Sequence, residues 1–298
     1  MKDYIKLLRP RDWAKNLFLL VPSFFAGQFF VSDHLPQLLE GIVAFCFFSS
    51  GIYIINDYRD VEDDRKHPVK KSRPLAAGIV KKPIVVLMCI FSLTLGSLMG
   101  WLADTDGLFL LILGIYFFIS LCYSLGLKNI AILDIMILAT GFVLRVRGGA
   151  VISRVETSEW LIIMTFLLAL FMAIAKRRDD LLLKTITDTD MRKSVSGYNL
   201  EFLNTLLGLS SAIIIVAYIN YTVSPLTIQR LGTRHLYYSG LFVIAGLMRY
   251  LQITFVLKKS GSPTEILFRD IFMQAILLLW ILSVYVILYL RDTSYIIK

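Results

Sequence analysis

The chain has 298 residues, of which 57% are hydrophobic and only 18% charged, and its mean hydropathy is +0.70. A water-soluble domain of this length cannot bury that much apolar surface and a disordered chain would not carry it, so composition excludes both and leaves the bilayer as the solvent. The formal charge of +9 comes with no nucleic-acid-binding signature, so it reads as the basic bias of inner membrane loops and no nucleic-acid partner is expected.

In chain order, a basic start (Lys2, Lys6, Arg9, Arg11) precedes the apolar run Leu17–Val31. The pattern mimics a signal peptide. However, Pro10 and Trp13 interrupt the basic part and further spans follow, so it reads as a short interfacial helix entering a retained first span, kinked at Pro22. The remaining spans are expected at Leu39–Ile55, Ile84–Ala103, Leu108–Leu125, Ile130–Leu144, Trp160–Ala175, Leu203–Val223, Tyr237–Leu257 and Ile271–Leu290. Long polar inner loops are expected over 56–83 and 176–202, and Ser262 with Glu265 fits a capping box before the last span. The fold class is therefore an all-α polytopic membrane bundle of about nine transmembrane helices, in one domain over 1–298. With the N-terminus inside, 23 Lys/Arg fall on inner segments and seven on outer ones, which predicts a chain of the cell membrane with its functional face toward the cytoplasm. Cys46, Cys89 and Cys122 stand singly, and His34, His67 and His235 form no HExxH, so neither a disulfide framework nor a zinc site is expected.

The chemistry concentrates after the second span, in Ile54-Ile55-Asn56-Asp57-Tyr58-Arg59-Asp60-Val61-Glu62-Asp63-Asp64-Arg65. If the helix runs on past the membrane, Asp57, Asp60 and Asp64 share one face, with Asn56 beside them. A generic acidic patch is more often a solvated helix end. Carboxylates gathered on one face against an apolar span repel one another unless a cation sits between them. Carboxylate and amide oxygens suit Mg²⁺, whose coordination shell phosphates commonly complete, so the pattern predicts a Mg²⁺–diphosphate site with Asn56, Asp60 and Asp64 as ligands.

Asn56-Asp57-x-x-Asp60-x-x-x-Asp64, followed by Arg73-Pro74-Leu75-Ala76-Ala77-Gly78, resembles the first signature of the UbiA-type intramembrane prenyltransferase superfamily. Arg9-Pro10-Arg11-Asp12-Trp13-Ala14-Lys15-Asn16, Asp60-Val61-Glu62-x-Asp64-Arg65-x-His67-Pro68, Gly141-Phe142-Val143-Leu144-Arg145 and Ala175-Lys176-Arg177 resemble one branch of it, the decaprenyl-phosphate phosphoribosyltransferases. The resemblance implies transfer of 5-phosphoribose from phosphoribosyl diphosphate (PRPP) to a polyprenyl phosphate, with release of diphosphate, in cell-envelope sugar-donor synthesis. Members that use aromatic acceptors carry a second Asp-x-x-x-Asp on the later inner loop. Here Asp180 is followed four residues on by Lys184 and Asp190 by Ser194, with Lys176, Arg177 and Arg178 nearby, which suits two phosphorylated substrates better.

On this reading Asp57, Asp60 and Asp64 are the catalytic carboxylates, one of them near C1 of the ribose, and no catalytic His or Ser is expected. Substrate contacts are expected from Asn56 and Arg65, and from Arg73 as a cap on the diphosphate. Tyr123 and Lys128 are expected at the pocket mouth. Spacing alone leaves Lys15 open between snorkelling and phosphate contact, and the resemblance favours phosphate. It likewise singles out Lys176 and Arg177, and Arg145 as a phosphate-binding or structural residue within an apolar run that also holds Asp134. Asp179 and Asp180 are weaker candidates for a second metal. A homo-oligomer is compatible with this reading. Two other classes compete: a prenyltransferase moving a prenyl group from a prenyl diphosphate to an aromatic acceptor, and a membrane transporter, against which the end-of-helix position of the acidic cluster weighs. A CDP-alcohol phosphotransferase needs Gly and Ala between and after its aspartates, which residues 57–65 lack.

Overall fold

The computed structural model describes residues 2–29, 33–66, 70–187, 197–257, 266 and 269–290. Among these the chain is helical and contains no strand. The helices are α1 (Lys2–Leu7), α2 (Val21–Phe25), α3 (Leu35–Arg59), α4 (Val61–Lys66), α5 (Lys82–Ala103), α6 (Leu108–Leu125), α7 (Leu133–Ile152), α8 (Glu159–Thr187), α9 (Leu200–Val223), α10 (Pro225–Leu231), α11 (Gly240–Phe255) and α12 (Ile271–Tyr289). A 3-10 helix occupies Pro10–Leu20 and a shorter one His235–Ser239. Seven of the helices, α3, α5, α6, α7, α8, α9 and α12, are long and apolar enough to cross a membrane, which makes this an integral membrane protein.

Two of the nine expected spans are not single long α-helices. The segment expected at Leu17–Val31 begins earlier, as the 3-10 helix, and passes at Val21 into α2. At about 2.0 Å per 3-10 residue and 1.5 Å per α residue the two cover roughly 30 Å. Their contacts run antiparallel along α3: Arg9 meets Asp57, the Trp13 indole N–H donates to Ser50 at 3.1 Å, and Asn16 reaches Cys46 at 3.2 Å. Such irregular backbone is tolerated at membrane depth where protein covers it, and here α3 and α7 do so. The expected span Tyr237–Leu257 likewise divides between the second 3-10 helix and α11.

Other boundaries move outward. Helix α7 continues eight residues beyond Leu144, and α8 runs through Thr187 rather than ending at Ala175, so the first part of the expected loop 176–202 is helix. Hydropathy marks where the bilayer ends, but Arg177–Lys184 is a good helix-forming stretch and carries the helix past it. Asp60 interrupts the helix expected to run past the second span, between α3 and α4. The capping-box residues Ser262 and Glu265 lie outside the described residues, as do His67 and Pro68.

Helix α7 is shared by two apolar clusters. One holds Phe45, Phe109 and Tyr116 against the N-terminal segment, and the other unites Phe171, Leu203 and Tyr250 across α8, α9 and α11. Close approach is set by glycine. A Cβ at Gly149 would lie 1.9 Å from the Leu19 carbonyl oxygen, so α7 and the 3-10 helix touch backbone to backbone there. A Cβ at Gly96 would lie 2.8 Å from the Phe48 nitrogen, where α5 crosses α3. Gly149→Ala should push the N-terminal segment off α7 and cost about 1–3 kcal/mol or more, because the obstructing atoms are main chain and cannot rotate away. A thermal melt in detergent that matched the wild type would contradict this packing.

Candidate functional site

Five pieces of chain converge at one end of the bundle: the start of the 3-10 helix, the end of α3 with α4, the turn 70–78, the α6–α7 connection, and the start of α7 with the later part of α8. Asp57 and Asp60 lie at the C-terminal end of α3, where the helix dipole favours cations rather than anions, and Asp64 follows in the first turn of α4. The fold offsets this with basic side chains from other elements. Asp57 (3% exposed) accepts from Arg9 and, at 3.0 Å, from Arg73 Nη1. Asp64 (4% exposed) accepts from the same Arg73 nitrogen at 2.6 Å. Lys128, from the short 3-10 turn Leu127–Asn129, grips both oxygens of Asp60, one of them at 2.6 Å. Asn56 Oδ1 accepts from Ser124 Oγ at 3.0 Å. Arg73 therefore brings Asp57 and Asp64 together, while Asp60 pairs with Lys128 and Asn56 with Ser124 close by in the chain, the helix breaking at Asp60.

Among the described residues no three of His, Cys, Asp and Glu are grouped closely enough to hold a metal ion as they stand, and Asp57, Asp60 and Asp64 are each paired with a basic side chain. The donor set nevertheless fits a hard divalent cation, since carboxylate and amide oxygens of one short segment face a single polar end.

A second group adjoins the first. Lys15 pairs with Asp12 at 2.5 Å, and Lys176 and Arg9 lie within electrostatic reach of the same carboxylate. The N-terminal segment and α8 thus direct basic side chains toward one carboxylate, and these outnumber the single acid, which is a phosphate-attracting arrangement.

Arg177 is the centre of a third group. Its Nε donates to the fully buried Asp134 at 2.6 Å, its Nη1 to Asp180 at 2.5 Å, and its Nη2 to the Tyr123 hydroxyl at 3.3 Å. Tyr198 donates to Asp134 at 2.6 Å and accepts from the Ile132 N–H at 2.5 Å. Burial, reinforced by the hydrogen bond to Asp134, raises the pKa of the Tyr198 hydroxyl well above that of an ordinary tyrosine, so it stays a donor.

Two expected site residues are engaged elsewhere. Arg65 points away from the carboxylates, to the Ala76 carbonyl at 3.2 Å and Glu62 at 2.8 Å, and so holds the 73–78 turn. Arg145 is buried (4% exposed) and donates to Asn16 at 2.8 Å, the Gly141 carbonyl at 2.8 Å and the Tyr116 hydroxyl at 3.0 Å. The rings of Phe45, Tyr116 and Phe142 surround it at 4.8–5.7 Å, so it ties the N-terminal segment to α6 and α7. Sequence reasoning assigned no individual role to Arg9, Asp12 or Ser124 and missed Tyr198 altogether. The only signal for the first two was their place in the Arg9–Asn16 segment. A separate cleft of about 830 Å³, lined by His34, Asp104, Arg147 and Glu156 among others, shares no residue with these groups.

Comparison with known proteins agrees with this architecture. Decaprenyl-phosphate phosphoribosyltransferase from Corynebacterium glutamicum is 31% identical over 291 residues, covering 96% of this chain and 86% of that protein. The protein of the same name from Mycolicibacterium smegmatis is also 31% identical, covering 93% and 89%. The structure of a UbiA homologue from Archaeoglobus fulgidus bound to GPP and Mg²⁺ aligns with a TM-score of 0.72 at 22% identity, over 96% of this chain and 99% of that one. Residues 18–276 match the UbiA prenyltransferase family, and with that match, the helical bundle and the carboxylate cluster at one end, the chain belongs to the UbiA prenyltransferase family.

Proposed function

We propose that the protein transfers 5-phosphoribose from PRPP to a polyprenyl phosphate and releases diphosphate. The observation that carries the reading is the conjunction, at one end of the bundle, of three carboxylates on α3–α4 with basic groups from four other elements, in a chain similar over nearly its whole length to decaprenyl-phosphate phosphoribosyltransferases. The acceptor phosphate oxygen is anionic at neutral pH and attacks C1 of the ribose without a general base. The C1–oxygen bond to diphosphate breaks, and the leaving group takes the electron pair. A divalent cation, Mg²⁺ being the hard ion that suits these ligands, would be held by Asn56, Asp60 and Asp64 and would neutralise charge on the departing diphosphate.

The protein's own side chains do the rest. Arg73 and Lys128 stand beside the carboxylates, where a diphosphate would sit, and stabilise its charge. Asp57 orients Arg9 and Arg73. Lys15 and Lys176 supply positive charge for a monophosphate, and Arg177 is held rigidly by Asp134 and Asp180. The excess of 23 inner over seven outer basic residues supports a cytoplasmic site in a cell-membrane protein, accessible to a water-soluble donor.

Purified protein in detergent with Mg²⁺ should pass label from ribose-labelled PRPP to a polyprenyl phosphate and release one diphosphate per product. Turnover of prenyl diphosphates with aromatic acceptors, and none of PRPP, would instead establish the prenyl-transfer chemistry.

A further inference from the structure

We propose that Arg73 is a built-in competitor of the divalent cation: it holds Asp57 and Asp64 until a diphosphate draws it away, so that metal and diphosphate bind together rather than singly. The inference rests on the reading that a metal–diphosphate pair occupies this cluster.

Arg73 Nη1 lies 3.0 Å from Asp57 Oδ1 and 2.6 Å from Asp64 Oδ2, so a single nitrogen ties Asp64, a carboxylate that the cation would engage, to the neighbouring Asp57. The Arg73 side chain is 27% exposed, whereas those of Asp57 and Asp64 are 4% and 6% exposed. The guanidinium therefore approaches from the open side and can leave without disturbing the core. Its backbone is anchored, with the Arg73 N–H donating to the Lys70 carbonyl at 2.9 Å and the Ala77 N–H donating to the Arg73 carbonyl at 2.8 Å. The movable part is the side chain.

Charge counting gives the direction of coupling. Asp57, Asp60 and Asp64 face Arg9, Arg73 and Lys128, so the cluster is balanced as it stands. A bare dication must displace cations and leaves a positive surplus in a poorly solvated place. A dication arriving with diphosphate, whose negative charge exceeds that of the dication, leaves no positive surplus. The carboxylates take the metal, and the displaced guanidinium meets phosphate oxygens, for which its planar fork is suited. Reciprocity then requires diphosphate to strengthen metal binding by the factor by which metal strengthens diphosphate binding. A purely structural Arg73 predicts a different pattern, in which its removal weakens both ligands.

The test measures Mn²⁺ held by the detergent-purified protein, by electron paramagnetic resonance, with and without inorganic diphosphate. In Arg73→Gln, affinity for Mn²⁺ alone should rise on the order of tenfold while the enhancement by diphosphate shrinks by a similar factor. Arg73→Lys keeps a charge but matches two carboxylates and a phosphate less well, and should fall between Gln and the wild type. It carries the test if the Gln variant does not fold. Unchanged or weakened Mn²⁺ binding in a folded Arg73 variant would overturn the competitor role. Asp64→Asn separates that failure from failure of the underlying reading: if it binds Mn²⁺ with diphosphate as tightly as the wild type, the cation is not at this cluster at all.

Discussion

Asp64→Asn is expected to lower kcat/KM for the sugar donor on the order of a thousandfold, equivalent to about 4 kcal/mol of transition-state stabilisation, with the fold intact. The substitution keeps the shape of a buried side chain and an oxygen for Arg73, so packing is preserved, but it removes the negative charge that would hold the cation against the leaving diphosphate. Asp60→Asn should behave alike. Its carboxylate accepts from Lys128 through both oxygens, and an amide can accept through only one. Steady-state kinetics with labelled PRPP, beside melting curves of the same preparations, separate loss of chemistry from loss of structure. Full activity in both variants would remove the carboxylates from the mechanism.

The second large effect is on stability. Asp134→Ala should destabilise the bundle by about 3–5 kcal/mol, because it strands the Arg177 cation in the interior. Asp134 is fully buried and satisfied on all sides, accepting from Arg177 at 2.6 Å, Tyr198 at 2.6 Å and the Ile135 N–H at 2.9 Å. Asp180 remains near Arg177, but that carboxylate is 30% exposed and compensates less in a partly solvated setting. Tyr198→Phe deletes one neutral donor to a charged acceptor and should cost less, about 1.5–3 kcal/mol. The ordering is checked by thermal inactivation in detergent, and an Asp134→Ala protein as durable as the wild type would show that Arg177 needs no buried counter-ion. The same network links α7, α8 and the segment just before α9 to Tyr123 on α6, so loosening it should also raise KM for phosphorylated substrates through Arg177.

How much of this could be read from the chain differs with the kind of interaction. Spans such as Leu108–Leu125 emerge at their observed limits, because a hydrocarbon core demands a run of apolar residues and each helix satisfies its own backbone hydrogen bonds. The spacing of Asn56, Asp57, Asp60 and Asp64 is equally local, and composition alone shows that they lie beside a membrane-crossing segment. The 3-10 form of Pro10–Leu20 is not local. It follows from contact with α3 and from the backbone seat at Gly149, more than a hundred residues away. Nor could sequence assign partners: Arg9 to Asp57, Lys128 to Asp60 and Arg177 to Asp134 are 48, 68 and 43 residues apart. A basic residue near a membrane surface looks the same whether it snorkels, orients the protein or neutralises a carboxylate. Sequence by itself determined the bundle and the acidic segment that follows its second span, since bilayer solvation acts along the chain, although the continuous helix expected through that segment breaks at Asp60. Only tertiary structure decided which cations meet that face, and that Arg145 and Arg65 do not, because an ion pair depends on distance in space.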